Sequence, residues 1–168
     1  MKCILHIGTE KTGSSTIQTF LELNRKLLKS QGILFPKSVG SPNNRGLYEA
    51  TCSPLNPDSH AQSIGPRTPN QIVNHQKKII KLLQKEVSQV KQHGINTIIF
   101  SSEHLHSRLR AKPELERLQR ILASLGIIET SVIIYLREPS ELASSLYNTA
   151  ILHGCLLYTS PSPRDQRG

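Results

Sequence analysis

Short apolar runs alternate along the chain with longer stretches in which apolar residues recur every three or four positions, a pattern that predicts strands separated by helices. Residues 3–7 form the first run. A helix over about 14–30 follows, with Ile17, Phe20, Leu21, Leu27 and Leu28 on one face and Gly32 as its stop. Ile33-Leu34-Phe35 before Pro36 reads as a short strand. Further on, Pro69-Asn70 opens a long helix over 70–93, where Ile72, Ile79, Ile80, Leu83, Val87 and Val90 keep helical spacing until Gly94 closes it. Residues 96–101 make the next strand. Pro113 starts a helix that turns Leu115, Leu118, Ile121, Leu122 and Leu125 inward before Gly126. A buried-strand run, Ser131 to Leu136, then ends at Arg137, and a helix begins near Ser140. This alternation predicts an α/β fold, a parallel sheet with helices on both faces.

One stretch breaks the rhythm. Residues 36–69 hold six of the ten prolines, together with Asn43, Asn44 and several serines, and read as an irregular excursion suited to an acceptor-binding or lid segment. A disordered insertion is the competing reading.

Candidate chemistry concentrates where strands end. Residues 4–16 run from apolar strand into a Gly/Ser/Thr loop with one lysine and then into a helix. Gly8 and Gly13 permit a tight turn, the free N–H groups of the helix start attract an anion, and Ser14, Ser15, Thr16 and Lys11 add donors and charge. A Walker A loop would need lysine at position 14, where serine stands. The lysine lies at position 11 instead, and Lys11-Thr12-Gly13-Ser14-Ser15 resembles the 5′-phosphosulfate loop of the sulfotransferase family. Downstream, Arg137, Pro139, Ser145 and Tyr147 follow the order Arg-x-Pro…Ser-x-Tyr, which resembles that family's 3′-phosphate site. An arginine fork and a hydroxyl suit a terminal phosphate.

The resemblance covers about residues 3–153 in order and spacing, with specific residues only at the two phosphate sites. It implies a three-layer, P-loop NTPase-like (sulfotransferase) fold. The implied donor is 3′-phosphoadenosine 5′-phosphosulfate, with sulfuryl transfer to a hydroxyl or amine of a small-molecule or glycan acceptor and without a metal. In that reading Lys11, Thr12, Gly13, Ser14, Ser15 and Thr16 cradle the phosphosulfate, while Arg137 and Ser145 select the 3′-phosphate.

Phe100-Ser101-Ser102-Glu103-His104 ends the third long strand, so Glu103 and His104 should also face the crevice at the carboxyl ends of the strands. Glu103 is the preferred base for the acceptor's proton, with His104 and His60 as alternatives and a helix-capping or salt-bridging acid as the competing role. His104-Leu105-His106 lacks further ligands at metal-binding spacing.

Composition adds less. The length of 168 residues suits one domain, and the net charge of +9 fits a polyanionic small ligand. Nucleic acid is not the expected partner, since the basic residues are dispersed and aromatics make up only 4% of the chain. No apolar run approaches a membrane span, and the first strand follows Met1-Lys2 directly, so a cytoplasmic location is expected. Cys3, Cys52 and Cys155 read as reduced thiols. From about Cys155 the chain loses periodicity and resembles translated vector read-through, implying a truncated domain over 1–154 and a non-native, disordered tail over 155–168. A P-loop kinase or NTPase and a non-catalytic nucleotide- or nucleic-acid-binding module remain the alternatives.

Overall fold

The computed structural model describes residues 1–55, 68–92 and 94–152; His60, Cys155 and the tail from 155 lie outside them. The chain divides into two compact units, Met1–Leu136 and a unit that starts at Arg137. Within the first unit, β1 (Lys2–His6), β2 (Ile33–Leu34), β3 (Thr97–Ser101) and β4 (Glu129–Ile133) form one sheet in the order β2-β3-β1-β4. All three pairings are parallel. Its helices are α1 (Ser14–Leu23), α2 (Arg25–Ser30), α3 (Arg45–Thr51), α4 (Pro69–Lys91), α5 (His104–Ser107) and α6 (Lys112–Ser124). The described part of the second unit contains α7 (Pro139–Leu152).

Register explains the core. Cys3 pairs with Ile98 and Leu5 with Phe100, so the four buried side chains share one face of the sheet. Ile79, Leu83 and Val87 of α4, Leu118 and Leu122 of α6, and Leu47, Tyr48 and Ala50 of α3 join them in one cluster. The β1-to-β2 connection runs one way along the sheet, and the next two run the other way. Right-handed crossovers then send α1 and α2 over one face and α3, α4 and α6 over the opposite one, an arrangement consistent with three layers.

Four local expectations need correction. The predicted helix over 14–30 is two helices, because Asn24 turns its side-chain amide back onto the Phe20 carbonyl at 2.8 Å and competes with helix continuation. The excursion over 36–69 contains α3, five of whose seven residues are buried. A helix this short has no periodicity to betray it. Its last carbonyls are satisfied by tertiary partners, Gln76 Nε2 on Glu49 and Cys52 and Arg117 Nη1 on Thr51. The run 131–136, expected to be buried, is exposed, and β4 starts two residues earlier, at Glu129. As the outermost strand on its side among the described residues, β4 has a neighbour on one edge only. Leu115, expected to turn inward, is half exposed on α6, and a short α5 directly follows β3.

Asn44 ties the Pro-rich segment to the sheet. Fully buried, it accepts from the Ser101 N–H at 3.0 Å through Oδ1 and donates its own backbone N–H to the Ser101 carbonyl at 2.9 Å. Its Nδ2 bonds the carbonyls of Pro36 and Gly40 at 3.1 and 2.9 Å. Asn44→Ala leaves those groups unpaired in a dry interior and should cost about 3 kcal/mol, read as a lower urea midpoint at unchanged slope.

Glu114 fastens the start of α6 to the segment after α3. Its carboxylate accepts from the N–H groups of Ser53, Arg110 and Ala111 at 2.8, 2.9 and 3.1 Å. Burial alone would raise its pKa, but these donors outweigh burial and hold it below the ordinary 4.5. A depressed folded value gives stability that is present above the unfolded pKa and lost as pH falls through the folded one. The thermal midpoint should therefore drop between pH 5 and about pH 3, and Glu114→Gln should show a smaller drop over the same range.

Candidate functional site

The strand order creates a crevice. The chain leaving β1 passes β3 to reach β2, whereas the chain leaving β3 passes β1 to reach β4. Neighbouring strands whose continuations diverge leave a gap beyond their carboxyl ends, which is where open α/β sheets bind ligands. The loop after β1 and the residues after β3 meet at this point.

Gly8 makes the meeting possible. Its φ of 93° lies in the left-handed region, and a Cβ there would stand 2.8 Å from the Glu103 Cβ and 3.0 Å from its Cα. One backbone bond joins the two sides, Ser102 N–H to the His6 carbonyl at 3.0 Å, and two more tie the β1 loop to the chain after β4, Thr9 N–H to the Tyr135 carbonyl at 3.0 Å and Tyr135 N–H to the Gly8 carbonyl at 2.7 Å. The Thr12 hydroxyl closes the loop on the Thr9 carbonyl at 2.7 Å. Lys11, at φ 63°, is the non-glycine residue with positive φ among the described residues. Such strain persists where the surrounding contacts enforce it. Gly13 is the N-cap of α1 at φ 84° and supplies no side-chain cap, so the first N–H groups of the helix keep their anion-attracting character.

Glu10, Lys11, Gly13, Ser14, Ser15, Glu103, His104 and Arg108 line a cavity of about 260 Å³. Six of the sequence-predicted residues thus converge: Lys11, Gly13, Ser14, Ser15, Glu103 and His104. Thr12 and Thr16 do not line it; the Thr12 hydroxyl is engaged within the loop, and Thr16 is exposed. A larger cavity, about 440 Å³, lies between α6 and the sheet, and its walls are mainly Leu, Ile and Val.

Glu103 is held by neutral donors. Gln18 Nε2 reaches Oε2 at 2.8 Å, and Asn43 Nδ2 reaches both carboxylate oxygens at 3.0 Å. His104 stands between guanidinium groups, with Arg45 Nη1 2.8 Å from Nε2 and Arg108 Nε donating to Nδ1 at 3.1 Å. Burial first, then the charge of Arg45, lowers its pKa below the usual histidine value, with Glu103 opposing. His6, buried at the end of β1, pairs through Nδ1 with Ser101 Oγ at 2.7 Å, and burial lowers its pKa too. Sequence reading missed Gln18, Asn43, Arg45 and Arg108. Gln18 alone left a trace, a polar residue one turn after Ser14 on a helix face that proves buried.

Arg137 and Ser145 belong to the second unit. There Arg137 Nε donates to Glu141 at 3.0 Å, and Ser145 lies half-buried in α7. The Glu138 carboxylate accepts from the N–H groups of Ser140 and Glu141 at 2.9 and 3.0 Å, which starts α7 at Pro139. Among the described residues no three His, Cys, Asp or Glu side chains cluster as metal ligands, and no helix is long and apolar enough to cross a membrane. The chain matches no family model, no curated protein and no solved structure.

Gly8→Ala tests the close approach on which this site depends. Both the positive φ and the Glu103 backbone resist a Cβ, so the substitution should lower stability by about 2–4 kcal/mol. Hydrogen exchange at Ser102 and Thr9, followed by NMR, should quicken with it; unchanged protection would show that the loops part without cost.

Proposed function

We propose that the chain is a sulfotransferase that uses 3′-phosphoadenosine 5′-phosphosulfate, with a three-layer, P-loop NTPase-like fold. The observation that carries this reading is the convergence of Lys11, the uncapped start of α1 and the Glu103 carboxylate on one cavity at the divergence of β1 and β3. An anion cradle and a fixed carboxylate lining one cavity suit in-line transfer between a bound donor and an acceptor hydroxyl or amine, on a small molecule or glycan.

In this reading Lys11 and the N–H groups of Ser14 and Ser15 hold the phosphosulfate and neutralise the charge that develops on the departing 5′-phosphate. Glu103 takes the acceptor's proton as the acceptor oxygen or nitrogen bonds to sulfur. The bond from sulfur to the bridging oxygen breaks, and 3′-phosphoadenosine 5′-phosphate leaves. Glu103 suits the base role better than His104, because both ring nitrogens of His104 face arginine donors. Arg137 and Ser145 are assigned to the 3′-phosphate on their sequence pattern. No step needs a metal.

Calorimetric titration with 3′-phosphoadenosine 5′-phosphate, adenosine 5′-phosphate and ATP with magnesium tests the reading. The bisphosphate should bind selectively, and Lys11→Ala and Arg137→Ala should each weaken it about tenfold or more, as expected for lost charge-assisted hydrogen bonds. Glu103→Gln should retain binding while slowing transfer about 10²–10⁴-fold once an acceptor is in hand. Tighter, magnesium-dependent binding of ATP would overturn the proposal in favour of a kinase or NTPase.

A further inference from the structure

We infer that Arg108 is a second cation for the anion held by the β1 loop, and that His104 is the positioning residue that aims it. The inference rests on reading the cavity as a donor site and adds two residues to it. Arg108 lines the same cavity as Lys11, Ser14 and Ser15, but it comes from the opposite wall, beyond β3 rather than beyond β1. An anion between them would meet a lysine from one loop and an arginine from the other, and the planar guanidinium can grip two oxygens of a tetrahedral group at once.

His104 sets the orientation. A neutral imidazole offers one N–H and one lone pair. Its two nitrogens meet arginine groups on both sides, so the ring can accept from only one of them. Arg108 Nε–H donates to Nδ1 over 3.1 Å, which puts the lone pair there. Arg45 is held through its own Nε by Glu49 at 3.1 Å in a largely buried ion pair. Burial and the Arg45 charge both disfavour a protonated ring, which would lose that acceptor and add a third cation to the cluster. Arg45 in turn is fixed by Glu49 and by the face of Tyr48, 5.7 Å from its ring centre. The Arg45 guanidinium, anchored on α3, thus backs the ring on the side away from Arg108, 2.8 Å from Nε2.

The test is calorimetry with two probes, 3′-phosphoadenosine 5′-phosphate and inorganic pyrophosphate, on the full chain and on Arg108→Ala, Arg108→Lys, His104→Ala and His104→Asn. Arg108→Ala should weaken both probes about tenfold, with Arg108→Lys recovering only part of the loss because it lacks the fork. His104→Ala should weaken binding several-fold, and His104→Asn, whose amide oxygen can accept the Nε–H, should restore most of it. In the Arg108→Ala background His104→Ala should add nothing, a coupling that a general loss of stability would not produce. Binding of both probes that ignores Arg108, or a His104 effect that persists without Arg108, overturns this inference and leaves the donor reading intact. Arg108-dependent pyrophosphate binding without preference for the bisphosphate overturns the donor reading alone, and failure of both probes to bind overturns both.

Discussion

The absent side chain at residue 8 lets the first and third strands end against each other. A Cβ at that point would stand 2.8 Å from the Glu103 Cβ, closer than packed side chains approach, so the two loops would have to separate. With them would go the bond from Ser102 to His6, and hence the geometry of both walls of the crevice. The left-handed turns at Gly8, Lys11 and Gly13 follow from the same constraint, because the chain must leave β1, clear Glu103 and enter α1 within a few residues.

The electrostatics of the crevice are local. A net charge of +9 is spread over the chain, yet the cavity sets Lys11 and Arg108 against Glu10 and Glu103, with a neutral-leaning histidine between two arginines. Glu103 is anchored by the amides of Gln18 and Asn43, which fix its orientation without cancelling its charge.

Much of the fold was legible because it follows from short-range pattern. Cys3 and Leu5 of the first apolar run, Ile98 and Phe100 of the run at 96–101, and the helically spaced Ile79, Leu83 and Val87 all fall on buried positions of the expected elements. That Lys11, Gly13, Ser14 and Ser15 gather at one cavity was legible for a similar reason, since a glycine-bearing loop between a strand and a helix is short and its residues stay together. The failures have a common cause. Burial of α3, exposure of β4 and the break at Asn24 depend on what packs against each segment, or on one side chain competing with the backbone, and periodicity records neither.

Residue pattern alone thus specifies the alternation of strands and helices, the parallel sheet this implies, and the tight turn from Gly8 to Gly13. Which side chains meet at the end of β3 is set by the folded arrangement. Gln18 reaches Glu103 across 85 residues, Asn43 across 60, and Arg45 reaches His104 across 59. Backbone preference and side-chain spacing act over one or two turns of chain. The partners of a charged group are set by the strand order that folds distant segments onto one crevice.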